Sequence, residues 1–278
     1  MPELAEVEYY RRIWADAITG QPIRTVQASG KRPFHGAAAV FQKLKGLKLV
    51  RSETAAKQML FRFQGPKGTP PAWLGVHLGM SGELRAEEPG FTASRHDHLV
   101  LWTKSAAAVY TDPRMFGRVD LHIGAAPPAW WTRIAPAILS PAFSQAAVAA
   151  YLQRRRRAPL KAVLLQQERF PGIGNWMADE VLWRAGLHPA RLAGSLQPAE
   201  IATLWRQCRE VCRHALRVIG GKGTSLPPAL NARIPKTWLF THRWEAGGRD
   251  PRTGGRLRRA TIGGRTTCWS PDRQALPR

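Results

Sequence analysis

Acidic residues are scarce in this chain: 19 Asp and Glu stand against 42 Lys and Arg, giving a formal charge of +23 over 278 residues. An excess of this size repels itself in a compact fold unless a polyanion neutralises it. It therefore disfavours cationic partners and points to nucleic acid, with a membrane surface as the competing polyanion. Cysteine is also sparse. Cys208, Cys212 and Cys268 cannot build a disulfide framework and suit a reducing compartment. Cys208 and Cys212 fall one turn apart in IATLWRQCREVCRHALRVI and read as small buried helix residues without metal chemistry. Long apolar runs are lacking as well. No stretch reaches the roughly 18 to 20 residues of a spanning helix, no basic-then-apolar leader precedes MPELAEVE, and no long-period repeat is present. The expectation is a soluble, intracellular protein.

What is present divides the chain. PELAEVEYYRRIWADAI reads as a helix with Leu4, Val7 and Trp14 on one side, stopped by Gly20-Gln21-Pro22. Strand-like runs follow: QMLFRFQG with Met59, Phe61 and Phe63 alternating with polar positions, then WLGVHLGMSG, HDHLVLW and AAAVYTDP. This half-buried antiparallel pattern predicts a β-sandwich or barrel with the N-terminal helix packed against it. After GAAPPAWW the periodicity becomes helical, through SPAFSQAAVAAYLQRRRR, PLKAVLLQQ, NWMADEVLWRAGL and QPAEIATLWRQCREVCRHALRVIG. The Gly- and Arg-rich end reads either as a basic tail or as a β-hairpin in which RLRRATI and RTTCW flank Gly263-Gly264. The fold class expected is α+β.

Three stretches carry candidate chemistry. In FPGIGNWMADEVLWRAGLHP, Gly172 and Gly174 permit close backbone approach and Asn175 reads as an N-cap, so this turn between helices is either ordinary capping or a phosphate clamp. The Arg154 to Arg157 run is either a solvated basic face or a phosphate contact. HLGMSG and TDPRMFGR place Met80, Arg114, Met115 and Phe116 in turns. Such apolar residues are ordinarily core; the alternative is a wedge that fills the hole left by an extruded base.

Taken in order, MPELAEVE, Lys57, HLGMSG, HDH, YTDPRMFGR and PGIGNWMADEVLWRAGLHP resemble the motifs of the formamidopyrimidine-DNA glycosylases of the endonuclease VIII superfamily, over nearly the whole chain. The resemblance implies an N-terminal catalytic β-sandwich domain (1–130), a helix-two-turns-helix DNA-binding domain (131–237) and a β-hairpin finger (238–278). It implies removal of oxidised purines from double-stranded DNA and cleavage of the resulting abasic strand, by a cytoplasmic, nucleoid-associated bacterial monomer. An endonuclease VIII-like preference for oxidised pyrimidines is the alternative, and an inactive DNA-binding protein the remote one.

By the same resemblance Pro2, freed of Met1, is the nucleophile, Glu3 the general acid and base, and Glu6 an orienting group. Lys57 corresponds to a proton donor and phosphate contact. Met80, Arg114 and Phe116 correspond to the residues that fill the void, and His96, Arg156 and Asn175 to backbone contacts. Arg265, in GGRTT, stands at the place of the phosphate-gripping arginine of the finger and is grouped with the catalytic set. The family commonly closes that finger with four cysteines around zinc. Here Asp250, Thr253, Ser270 and Arg273 stand at those places and Cys268 beside one of them, so the resemblance implies a zincless finger without cofactor, held by packing with Trp269 as a candidate. GGKGTSLPPALNARIPKTWLF, where family members close over 8-oxoguanine, departs from the family pattern.

Overall fold

The computed structural model describes residues 2–29, 34–35 (backbone only) and 38–276. The chain forms two compact units, Met1–Ile134 and Ala135–Arg278. Among the described residues no helix is long and apolar enough to cross a membrane.

The first unit opens with helix α1 (Leu4–Ile18) and continues through β1 (Thr25–Ala28), β2 (Phe34–His35), β3 (Lys48–Ala55), β4 (Gln58–Gln64), β5 (Ala72–His77), β6 (Glu83–Glu87), β7 (Asp97–Trp102), β8 (Ala107–Thr111) and β9 (Arg118–Ile123), to the short helix α2 (Ala129–Thr132). Two sheets result, in the orders β1-β7-β8-β6 and β2-β9-β5-β4-β3. Their inner faces and α1 share one core. The alternation in β4 does what the sequence implies: Met59, Phe61 and Phe63 are fully buried. In β7 and β8 the expectation of a half-buried alternation fails. Leu99, Leu101, Ala108 and Tyr110 face the main core, while Val100, Ala107 and Val109 on the other face are covered by Phe91, Ala93 and Trp102.

Helix α1 is anchored to both sheets by Trp14. Its ring packs on Phe61 of β4 with centroids 5.2 Å apart, and its indole N–H donates to the carbonyls of Arg85 on β6 (3.1 Å) and Val109 on β8 (3.3 Å). Trp14→Ala is expected to cost about 3–5 kcal/mol in denaturant unfolding, by cavity formation. Thr54 of β3 adds a polar tie, donating to Glu8 Oε2 (2.8 Å). Arg11 donates to both oxygens of the same carboxylate (2.9 and 2.7 Å). Glu8 therefore serves the packing of α1.

The second unit contains α3 (Gln145–Arg154), α4 (Leu160–Leu164), α5 (Asn175–Ala185), α6 (Pro198–Val218) and the strands β10 (Arg258–Ile262) and β11 (Arg265–Trp269). Ser144 caps α3 by accepting from the N–H of Ala147, and Gln197 with Glu200 forms a capping box before α6, where Pro198 occupies the first turn. The C-terminal stretch is a hairpin. Ile262 pairs with Arg265 across Gly263 and Gly264, whose φ values of +61° and +74° meet the demand of a two-residue type I′ turn. Within residues 220–240, the stretch that departs from the family pattern, residues 221–238 contain no helix or strand; Arg233 ties this loop by donating to the carbonyl and hydroxyl of Ser225 (2.8 and 3.1 Å).

Candidate active site and nucleic-acid interface

The N-terminus is held tightly. Glu3 and Glu6 form a capping box at the start of α1, in which the backbone N–H of Glu3 donates to Glu6 Oε2 at 2.6 Å. Glu6 thus grips the residue that follows Pro2. Glu3 and Glu6 are only 2% and 7% exposed. Met1 lies outside the described residues, so its removal is an inference from the sequence.

Lys57 occupies the two-residue turn between β3 and β4, where Ala55 pairs with Gln58. A lysine at a hairpin tip is ordinarily solvated, yet Lys57 is 8% exposed. Ala56, beside it, adopts φ +53°, a conformation disfavoured for residues with a Cβ and often retained at functional turns. His77 at the end of β5 lies in the field of Lys57. Burial first, then the charges of Lys57 and Arg118, hold its imidazole below the usual histidine range. Its Nδ1 accepts the N–H of Gly79 (3.2 Å), leaving the proton of the neutral ring on Nε2.

The loops after β5 and β8 form one platform organised by Asp112, which is fully buried. Its carboxylate accepts from Ser81 Oγ (2.6 Å), the N–H of Gly117 (2.7 Å) and the hydroxyl of Tyr110 (3.2 Å). Its backbone joins too: the N–H donates to the carbonyl of His96 (3.1 Å), and its own carbonyl accepts from Met115 N–H (3.2 Å). At Gly79, with φ +61°, a Cβ would stand 2.4 Å from the backbone of Phe116, so the two loops touch there through bare backbone. The ordinary reading of Met80 and Phe116 as core residues is overturned. Met80, Met115 and Phe116 are 45%, 43% and 56% exposed, and the Arg114 guanidinium lies 4.8 Å from the centroid of the Phe116 ring. Standing before Pro113 in TDPRMFGR, Asp112 reads in the sequence as a turn former; its three-fold acceptor role has no local signal. Met115, at φ +53°, adds an exposed apolar side chain to the expected Met80, Arg114 and Phe116.

In the second unit, Asn175 is not an N-cap. Gly174 takes that position and Asn175 is the first residue of α5. Its Nδ2 donates instead to the carbonyl of Thr266 in β11 (2.9 Å), next to Arg265. The turn before the helix is fixed by Gln167, which accepts from Gly172 N–H (3.0 Å) and donates to the carbonyl of Ile173 (2.8 Å). Within the arginine run, Arg155 is committed to Glu168 (3.1 Å), which also accepts from Tyr151, and Arg154 lies over the Tyr151 ring. Arg156 and Arg157 are exposed, and among the described residues neither has a carboxylate within ion-pair distance. The backbone of Arg156 is held by the N–H of Gly194 (3.0 Å). Arg265 is exposed at the start of β11, beside the hairpin turn.

At the places where the family would put zinc ligands, Asp250 supplies one carboxylate, Thr253 and Ser270 hydroxyls, and Arg273 a cation. Among the described residues no three His, Cys, Asp or Glu gather, and this donor set does not fit a tetrahedral zinc site. Trp269 packs edge-on against His188 with centroids 5.2 Å apart, while the buried cluster under the hairpin centres on Trp183, Leu239, Leu257 and Cys268.

Comparison with known proteins follows the same division. Residues 1–119 match the family model of the formamidopyrimidine-DNA glycosylase N-terminal domain, and residues 134–226 that of the formamidopyrimidine-DNA glycosylase H2TH domain. The formamidopyrimidine-DNA glycosylase of Laribacter hongkongensis is 35% identical, with 98% of each chain covered. That of Paracoccus denitrificans is 33% identical, over 98% of this chain and 99% of the relative. A variant of Lactococcus lactis Fpg, solved with DNA containing Fapy-dG, superposes with a TM-score of 0.83 at 26% identity, covering 99% of this chain and 100% of that one. The wild-type Lactococcus lactis Fpg with DNA containing an oxidised pyrimidine gives 0.84 at 26% identity, with the same coverage. Fold and matches together define the class, a DNA glycosylase of base excision repair. Within it, the chain belongs to the formamidopyrimidine-DNA glycosylase family.

Proposed function

We propose that the protein is a bifunctional DNA glycosylase and abasic-site lyase that excises oxidised purines, formamidopyrimidine and 8-oxoguanine, and then cuts the strand. The secondary amine of Pro2 attacks C1′ of the damaged nucleotide. The N-glycosidic bond breaks and the base leaves with the bonding pair, taking up the equivalent of the proton that Pro2 N sheds as its bond to C1′ forms. Glu3 delivers a proton to the sugar ring oxygen as the ring opens, leaving an iminium between Pro2 N and C1′. That cation draws electron density from C2′, and loss of a C2′ proton expels the 3′ phosphate. Water then hydrolyses the iminium and frees Pro2. The observation that carries this reading is the burial of Glu3, the residue next to Pro2 in the chain, in a capping box with Glu6. Lys57, buried beside a neutral His77, supplies a proton and a phosphate contact. Arg156, Asn175 and Arg265 contact the DNA backbone, with His96 on the first unit.

Exposed Met80, Arg114 and Phe116 support extrusion of the base, and the complete set favours purine lesions over pyrimidines. Strand cleavage on duplexes carrying 8-oxoguanine, formamidopyrimidine, dihydrouracil or an abasic site tests the assignment. Preference for the two purine lesions is expected; preference for dihydrouracil would place the protein with the pyrimidine enzymes. For the wedge itself, the double substitution Met80→Ala and Phe116→Ala removes exposed side chains and leaves unfolding free energy within about 0.5 kcal/mol per site. Single-turnover base release from duplex is expected to fall by roughly 10- to 100-fold, the equivalent of a few kcal/mol of unstacking. Cleavage of a preformed abasic site falls less. Equal losses on both substrates would show that the pair does not act in extrusion.

A further inference from the structure

Asn175, Asp179 and Trp183 follow one another at four-residue intervals and so share one face of α5. Each holds a different part of the C-terminal finger. Asn175 donates to the carbonyl of Thr266 (2.9 Å). Asp179 Oδ2 accepts from the N–H of Cys268 (3.0 Å) and from Arg243 Nη2 and Nε (2.6 and 3.1 Å), while its Oδ1 accepts from Lys161 Nζ (2.6 Å). Trp183 donates its indole N–H to Asp250 Oδ2 (3.1 Å), and the guanidiniums of Arg252 and Arg273 lie 4.6 and 5.1 Å from the centroid of its ring.

Two of these groups, Asp250 and Arg273, are among the four that replace the expected metal ligands. The other two are also engaged. Thr253 Oγ1 donates to Asp272 (3.0 Å). Ser270 N–H donates to Gln274 Oε1 (2.8 Å), whose amide donates to the carbonyl of Leu187 just beyond α5 (2.9 Å). Burial alone would raise the Asp250 carboxyl, but its polar neighbours, Ser270 foremost, then the Arg252 N–H and the Trp183 indole N–H that donate to it, outweigh burial and hold it below the usual carboxylate range. At the tip, a Cβ on Gly263 would meet Ala162 of α4 at 2.7 Å, so the turn that precedes Arg265 rests against the helical body.

We propose that this face of α5 is a metal-free lock which takes over the work of zinc: Asp179 and Trp183 are positioning residues that set the hairpin, and through it Arg265, for a DNA phosphate. A ring carrying two guanidiniums and donating to a buried carboxylate fixes the 250–253 loop, and the Asp179 carboxylate, balanced by Lys161 and Arg243, fixes β11. The functional consequence rests on the reading of Arg265 as a phosphate contact; the lock itself does not.

Hydrogen exchange on the full-length, chelator-treated protein separates the two. The lock requires residues 258–269 to stay protected without metal, and Trp183→Leu to speed their exchange by about tenfold or more while the rest of the chain is unchanged. Trp183→Phe, which keeps an aromatic face but loses the indole N–H and the pyrrole part of the ring system, is expected to fall between, and with Asp250→Ala it serves if the leucine variant does not fold. Binding to an abasic-site duplex is then measured against salt. Arg265→Ala and Trp183→Leu should each lower the salt slope by about one unit, and the double variant should lower it no further. The lock is overturned if exchange in the hairpin is unchanged by these substitutions, or if one zinc per chain is present and its removal releases the hairpin. An unchanged slope in Arg265→Ala together with faster hairpin exchange in Trp183→Leu would sustain the lock and reject the phosphate role of Arg265.

Discussion

Glu3→Gln is expected to lower single-turnover base release by roughly 10²- to 10⁴-fold, the range associated with loss of a positioned acid and base. The substitution isolates proton transfer because glutamine keeps the length of the side chain and its acceptor oxygen, so the capping box with Glu6 can persist. Equilibrium binding to the same duplex should stay within about threefold, since the groups proposed to grip phosphates are cations elsewhere in the chain. Rapid quench with 8-oxoguanine duplex, paired with a binding isotherm on an abasic analogue, reads both quantities. If base release in the variant matched the parent, Glu3 would be a helix cap and nothing more.

The second large effect concerns the terminus itself. Protein that retains Met1, or a tag ahead of Pro2, is expected to lose strand cleavage altogether. An amide nitrogen has no nucleophilic lone pair and cannot form the iminium that serves as the electron sink. Binding of abasic-site DNA should persist with its salt dependence intact, because the exposed cations Arg156 and Arg265 are untouched. Cleavage by such blocked protein, at the rate of the processed form, would move the nucleophile to another amine, with Lys57 the first to examine. Intact-mass measurement of each preparation confirms which terminus is under assay.

Much of this architecture is legible in the sequence wherever the cause is local. Met59, Phe61 and Phe63 alternate because one face of β4 meets the core, and Gly263-Gly264 predicts the hairpin because both turn residues need positive φ. Where the cause is distant, the sequence misleads. β7 and β8 are covered on their second face by Phe91 and Ala93, which no strand periodicity announces. Asn175 looks like an N-cap by residue type, but Gly174 caps the helix and leaves the asparagine amide to reach Thr266, 91 residues further along. Asp112 reads as the opening of a turn, and only the fold brings Ser81, Tyr110 and Gly117 to its carboxylate. Trp269 lies in the hairpin itself and packs on His188, yet it is Trp183, 67 residues from Asp250, that donates to the Asp250 carboxylate.

The site divides in the same way. Of the residues named by motif in the first unit, Glu3 and Lys57 are buried, and Met80, Arg114 and Phe116 are exposed. The arginine run shows the limit of motif reading. Four consecutive guanidiniums look equivalent in sequence, whereas Arg155 is spent on Glu168 and Arg154 lies over Tyr151, leaving Arg156 and Arg157 with solvent-facing charge.

The proposed chemistry turns on the identity of the covalent nucleophile. Borohydride reduction of the processed enzyme on an abasic-site duplex, followed by digestion and mass spectrometry of the crosslinked peptide, measures it directly. One adduct per chain is expected, with the reduced sugar on the nitrogen of Pro2. An adduct mapped to Lys57 or any other lysine, or no adduct at all, would contradict it.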